Sequence, residues 1–336
     1  MGHHRKFNHT LALITTSLLE DEIDFRSLSQ STDQLFRLLM EVTEMSGIES
    51  GHRQPLLLPD GKGIGPYWAA MCVNDMLRTR KFVRGLYFAI KEAQKIFPDT
   101  GIHVLYAGTG PLATLALPMT CLFTPDQVQF TFLEANPITV DMLHKTIEAF
   151  GIQSFIKDTV LTDATTYRPT ETVHILLTET MQRALDKEPQ VAITQQLIPY
   201  LHPDGFLVPE SIVVQAGLLN TADEKIRLAD VTHPPEYYIR YLDIIFELNR
   251  HSAISYANEF PTVEIEVSRI DAGEYRELNL FTHIRVFGQE IITPWQSGLS
   301  LPKKIAQLDF EKQSHHKISF QYLPGARPGF SIHFLN

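Results

Sequence analysis

Two glutamates nine positions apart, Glu179 and Glu188, flank a short stretch that directly follows the apolar run Val173–Leu177. Carboxylates converging on one cavity repel each other, and this raises a pKa unless a cation is present. A planar guanidinium satisfies both through paired hydrogen bonds. Glutamates are common, and their spacing alone is equally that of two solvated acids. Three further polar groups follow apolar runs in the same way: the Gly108/Gly110 turn, Glu134, and Asp163 beside Ala164. In open α/β sheets, ligands bind at the carboxyl ends of the strands.

The elements that must position these residues can be read from periodicity and punctuation. Ile102–Pro118 reads as a buried strand, a tight glycine turn and the first turns of a helix, which brings bare backbone N–H groups and a helix N-terminus up to a ligand. Gly108-x-Gly110-x-x-Ala113 also fits a dinucleotide fingerprint, so a NAD-dependent oxidoreductase stays open. Glu134, some two dozen residues on, suits a carboxylate accepting from ribose hydroxyls. Asp163 can accept from an adenine amino group while a neighbouring backbone N–H reads a ring nitrogen. Strands over 130–134, 154–161, 173–177 and 206–209 alternate with helices over 137–150 and 191–201. This alternation predicts an α/β parallel sheet.

Upstream, residues 10–50 read as helical, with Ser31-Thr32-Asp33 as an N-cap region. Residues 51–66, rich in Gly and Pro, read as a loop or linker. A helical run opens at Tyr67-Trp68, and another helix covers about 81–96. After residue 210 a strand over 211–219 and a charged helical segment over 221–250 lead into short strands over 263–268, 278–287, 316–322 and 330–334. The second half is therefore β-rich and antiparallel.

The 336 residues suffice for two domains, and 44% hydrophobic with 20% charged residues is an ordinary globular balance. A net charge of −10 argues against a nucleic-acid footprint. Two cysteines, Cys72 and Cys121, form no framework and no metal spacing, so a reducing, cytoplasmic compartment and no metal are expected. Pro118 and the glycine turn interrupt the one long uncharged stretch, so no membrane span is expected. Packing is the expected role of Cys72.

The motifs together resemble the class I, S-adenosylmethionine-dependent arginine methyltransferases. Ala107–Leu112 (AGTGPL) followed by Leu133–Pro137 (LEANP) is similar to the symmetric-dimethylating branch, Asp75-x-x-Arg78-Thr79 to the family's Asp-x-x-Arg-Thr segment, and Glu179/Glu188 to its double-glutamate loop. The resemblance covers about residues 66–215 with specific motifs and runs on more loosely. It implies a Rossmann-like methyltransferase sheet over 61–209, a β-barrel-like domain over 210–336 with a helical dimerisation arm near 221–258, and leaves 1–60 as a helical extension. It implies S-adenosylmethionine held by Tyr67, Arg78, Gly108, Gly110, Glu134, Asp163 and Ala164, with Arg78 on the methionine carboxylate. It implies catalysis by Glu179 and Glu188, Trp295 closing the site, and a homodimer acting on arginine or an arginine-containing substrate. Three positions depart from the pattern: Gln182 after Met181, Leu112 for the third glycine, and Thr293-Pro294-Trp295, where the family's Thr-His-Trp has a histidine. Free-arginine methyltransferases of bacterial nitrosourea biosynthesis look similar too. Free L-arginine, a peptidyl arginine and a non-arginine small-molecule acceptor thus remain open, as does a catalytically silent scaffold.

Overall fold

A computed structural model describes residues 2–45, 49–220, 225–226, 238–256 and 259–335. Helices α1 (Gly2–Leu19) and α2 (Phe25–Thr43) open the chain. Asp24, not Ser31-Thr32-Asp33, is the N-cap of α2, its carboxylate accepting from Arg26 N at 3.0 Å. Ser31 and Thr32 lie inside the helix and are buried, where the apolar stripe of Leu28, Leu35 and Leu39 carries them. Both helices pack on the main body and share its core.

The stretch 51–66 is not a plain linker. A short helix α3 (Ser50–Arg53) precedes a hairpin of β1 (Leu56–Leu58) and β2 (Gly61–Gly63), closed by Pro59-Asp60. Next come α4 (Pro66–Met71) and α5 (Met76–Ile96). The run from Met76 to Thr79 belongs to the same helix as the run beyond Lys81, because Asp75 caps it.

Strands β3 (Ile102–Ala107), β4 (Val128–Glu134), β5 (Ile156–Leu161), β6 (Val173–Thr178) and β7 (Leu201–Val208) form a parallel sheet in the order β5-β4-β3-β6-β7. Helices α6 (Pro137–Phe150) and α7 (Gln190–Leu197) connect them. Asn136 caps α6 and Gly151 ends it in the left-handed region, both as the sequence predicts. β7 begins at Leu201, so His202–Gly205 extends the strand instead of ending a helix.

The second half is β8 (Ser211–Leu219), β9 (Arg240–Asn249), β10 (Thr262–Ser268), β11 (Glu277–Phe287), β12 (Glu290–Ile292), β13 (Lys303–Gln307), β14 (His315–Leu323) and β15 (Gly329–Leu335). They pair antiparallel in two sheets, β12-β11-β8-β9 with β13 on β11, and β10-β14-β15. An aromatic cluster joins the sheets: Phe246 of β9 stacks on Tyr322 of β14 at 5.0 Å, and Phe260 meets Tyr322 at 5.2 Å. The helical reading of 221–250 fails over Arg240–Asn249, which is a strand paired with β8. There Ile245, Phe246 and Leu248 are buried, and burial against two sheets overrides the helical-looking spacing of Tyr241, Ile244 and Ile245. Residues 221–224, 227–237 and 257–258, part of the stretch 221–258 where the dimerisation arm was expected, lie outside the described residues.

Helix α5 ties the halves together. A side chain at Gly85 would place its Cβ 2.4 Å from Val286 Cγ1, so glycine lets the helix press against β11. Beside it Arg84 donates to Glu290 Oε1 at 2.7 Å and Lys81 approaches Glu290 Oε2 at 3.1 Å. Arg84 also reaches the carbonyls of Leu19 and Glu20, fixing the α1–α2 connection.

Candidate functional site

A cavity of about 600 Å³ opens at the carboxyl ends of the parallel strands. Of the residues singled out by sequence, Arg78, Gly108, Gly110, Glu134, Asp163, Ala164, Glu179 and Glu188 line it. Two do not. Tyr67 sits behind its neighbour Trp68, which lines the cavity in its place; their rings meet edge-on at 5.4 Å. Trp295 packs toward Phe281 at 6.0 Å, and Gly298, Leu299 and Leu301 of the same loop form the wall. Cys72, for which packing was the favoured role over lining the pocket, does line the cavity.

The glycine turn departs from its expected form. No α-helix follows it: Ala113 takes φ 44°, and turns lead to a single 3-10 segment, Leu117–Cys121. Pro111 and Pro118 remove two donors from the stretch. Nor are the turn's N–H groups bare. Gly108 N and Thr109 N donate to the Leu133 carbonyl at 2.9 and 3.2 Å, and Gly110 N donates to Glu134 Oε2 at 3.0 Å. Asn136 N donates to Glu134 Oε1 at 2.9 Å. The turn thus builds a carboxylate into the cavity wall. Burial pushes the Glu134 pKa up, opposed by its backbone donors.

Both turn glycines have positive φ, 72° at Gly108 and 69° at Gly110, but their surroundings differ. A Cβ on Gly108 would fall 2.1 Å from Thr180 Cγ2, whereas one on Gly110 would meet only Ala69 Cβ at 3.9 Å. Gly108→Ala is therefore expected to displace the loop after β6 and to destabilise the fold more than Gly110→Ala, whose cost is about 1–2 kcal/mol of backbone strain. Thermal unfolding of the two variants measures the difference.

The loop after β6 carries the glutamates. Glu179 Oε2 accepts from Arg78 Nε at 3.1 Å and from Arg78 Nη2, while its buried Oε1 has no hydrogen-bond partner. Burial pushes the Glu179 pKa up to about 7, with Arg78 pulling the other way. Burial alone would depress the Arg78 guanidinium, but Glu179 beside it holds it above its ordinary range. Glu188 is 6% exposed, its Oε1 accepting from Gln182 Nε2 at 2.6 Å, and burial raises its pKa too. Gln182, which stands where the family motif differs, is thus the partner of the second glutamate.

Bonds within the loop, such as Leu185 N to the Gln182 carbonyl at 3.0 Å, are not its whole support. Ala184, Leu185 and Lys187 have φ of 53°, 52° and 69°, a strained backbone that needs outside support. The antiparallel sheets give it: Ala184 N donates to Thr282 Oγ1 at 2.8 Å, and Lys187 N to the Pro328 carbonyl at 2.8 Å. The hairpin adds Lys62 N to the Lys187 carbonyl at 3.0 Å. At the loop's start the buried Gln190 accepts from Thr180 N at 2.8 Å. Arg78 is placed by Asp75, whose Oδ1 caps the helix at Arg78 N, 3.3 Å, and whose Oδ2 accepts from Ser297 Oγ at 2.6 Å and Gly298 N at 2.8 Å.

Lys62, Arg183 and Leu299 line the cavity without having been singled out, as does Trp68, which the sequence marked only together with Tyr67. The one usable sequence signal was Pro59-Asp60-Gly61, a hairpin turn that would have put Lys62 on a strand facing something.

Solved structures share this fold. The Trypanosoma brucei PRMT1 enzyme-prozyme heterotetrameric complex with AdoHcy matches 78% of this chain and 91% of its own at 13% identity, with a TM-score of 0.51. The fold is that of the protein arginine methyltransferases. Arabidopsis thaliana protein arginine methyltransferase 10, described in a uniquely open conformation, matches 80% of this chain and 98% of its own at 13% identity and a TM-score of 0.52. A structure of PRMT6-SAH matches 75% and 96% at 9% identity, TM-score 0.51. No protein-family model and no curated protein matches the sequence. Within this methyltransferase fold, no group of three or more His, Cys, Asp or Glu among the described residues is arranged to hold a metal ion, and no described helix is long and apolar enough to cross a membrane.

Proposed function

We propose that the chain is an S-adenosylmethionine-dependent methyltransferase acting on a guanidino nitrogen of an arginine-type acceptor. The observation that carries this reading is the buried glutamate pair beside the glycine turn, one oxygen of which, Glu179 Oε1, lacks a partner. A buried acceptor left unsatisfied is costly, and a guanidinium N–H is the donor that suits it. The AdoHcy of the PRMT1 complex and the SAH of the PRMT6 structure support the choice of cofactor. So does the wall of this cavity. Glu134 has one backbone donor on each oxygen and keeps capacity for ribose hydroxyls. Asp163 and Ala164 would meet the adenine, and Arg78 the methionine carboxylate. The absence of a helix at the glycine turn speaks against a dinucleotide, whose pyrophosphate rests on such an N-terminus. The same reading takes the enzyme as a cytoplasmic homodimer.

When bound, the cofactor supplies a methyl group on a sulfonium. The chain's part is orientation. Glu179 and Glu188 hold the guanidinium and draw its charge toward themselves, leaving the opposite nitrogen's lone pair for attack. The attacking nitrogen's proton becomes acidic only as the bond forms, so no strong base is needed beforehand.

Calorimetric titration with S-adenosylhomocysteine and with NAD, followed by a methyl-transfer assay on L-arginine and an arginine-rich peptide, tests this function. Binding of NAD in preference to S-adenosylhomocysteine overturns it. The pH profile is a sharper check. A guanidinium stays charged throughout, and Glu179 must be ionised to pair with it. With its pKa near 7, kcat/KM is expected to rise with pH from about 6 and level off above about 8. In the bound complex the acceptor's charge lowers that pKa, so the kcat profile lies at lower pH. A flat kcat/KM between pH 6 and 8 contradicts this role for Glu179.

A further inference from the structure

The cavity wall near the glutamates carries two cations that the proposed reaction does not use. Lys62, on strand β2, and Arg183, in the loop after β6, both line the cavity. They sit on its β6 side with Glu179 and Glu188, away from the β4 and β5 ends that present Glu134 and Asp163. Neither forms an ion pair within 4.0 Å of a carboxylate among the described residues, although the Lys62 charge does act on the nearby Glu188. The neighbouring lysines do form such pairs: Lys187 and Lys303 share Asp186, at 3.7 and 3.1 Å, and Lys304 pairs with Glu277. In a chain of net charge −10, two cations lining one cavity without a close ion pair stand out.

Both are built in by backbone contacts. The Lys62 N–H donates to the Lys187 carbonyl at 3.0 Å, next to Glu188. Gly61, at φ 143°, lies so close that a Cβ there would stand 3.0 Å from Pro189 N and 3.1 Å from the Lys187 carbonyl oxygen. The hairpin therefore rests directly on the glutamate loop. Arg183 Nη1 donates to the Pro302 carbonyl at 3.2 Å, beside the Leu299 and Leu301 wall. This contact leaves most of its donors open.

We propose that Lys62 and Arg183 form a carboxylate-binding subsite, and that the acceptor is a guanidino compound bearing a free carboxylate. The inference rests on the function proposed above. The glutamates take the guanidinium, and the two cations take the negative end of the same small molecule. A charge-assisted pair on a guanidinium or ammonium is about twice as strong as a neutral hydrogen bond. Arginine within a peptide has an amide where this carboxylate must be. Free L-arginine and a C-terminal arginine both offer it.

The test compares kcat/KM for L-arginine, agmatine, L-argininamide and the tripeptide Gly-Gly-Arg with its free C-terminus. It is paired with calorimetry of L-arginine and agmatine binding to the protein loaded with S-adenosylhomocysteine. L-arginine is expected to exceed agmatine and argininamide by about 10- to 100-fold, in affinity as well as in turnover. In Lys62→Gln and Arg183→Gln that ratio is expected to fall by about tenfold or more. The Gly-Gly-Arg result decides between the two carboxylate sources. Agmatine or argininamide bound and methylated as well as L-arginine overturns the subsite while leaving guanidino methylation standing. An unchanged ratio in both variants also overturns it. No methylation of any acceptor by a protein that binds S-adenosylhomocysteine removes the proposed function itself, and the subsite with it.

Discussion

Glu188→Gln is expected to lower methyl transfer by about 10²–10³-fold while S-adenosylhomocysteine still binds. The substitution keeps shape and the contact with Gln182 but removes the negative charge that a guanidinium needs. Steady-state turnover and a calorimetric titration of the same preparation check both halves. Near-normal turnover ends the assignment of the loop. Glu179→Gln is expected to be as inactive, but it is the less clean variant. Glu179 is also the counter-ion of the buried Arg78, and removing one member of a buried pair leaves the other charge uncompensated. It should therefore unfold at lower temperature as well, whereas Glu188→Gln should not.

The second large effect involves residues that do not line the cavity. Glu290→Gln is expected to destabilise the protein by about 3 kcal/mol, read as a fall in Tm or in the denaturant midpoint. Glu290 is 5% exposed and answers both Arg84 and Lys81 on α5. Arg84 keeps the Leu19 and Glu20 carbonyls, so the loss falls at the low end of what an orphaned buried charge costs. Asp21 also reaches Arg84, at 3.1 Å, but its side chain is 94% exposed, so Asp21→Asn should cost much less. The contrast separates a buried link between helix and sheet from a solvent-screened one.

The parallel sheet was legible because apolar runs of strand length end in polar residues and alternate with helical periods. The motif residues at strand ends were legible for the same reason, since a parallel sheet delivers its strand ends to one edge. The segment after the glycine turn was misread because Leu112–Leu117 has helix-forming composition. Ala113 at φ 44° cannot be seen in composition. The strand Arg240–Asn249 was misread because a period suited to a helix also suits a bulged strand, and this one shifts register twice against β8. Trp295 was assigned to the wall on motif position alone. Its loop does reach the cavity, but through Gly298, Leu299 and Leu301.

By itself the sequence determined the α/β sheet, the antiparallel second half, and five of the seven charged groups that line the cavity. Tertiary structure alone decided what those groups do to one another. The glycine turn spends its Gly110 N–H on Glu134, a contact across 24 residues. The glutamate loop keeps three left-handed residues in place with the help of the antiparallel half and the hairpin. Arg78 meets Glu179 across 101 residues, and Lys62 comes to rest beside Glu188. Local periodicity fixes which residues reach a strand end. Pairings at such separations, and the burial that moves a carboxylate's pKa to about 7, arise only when the chain has closed around them.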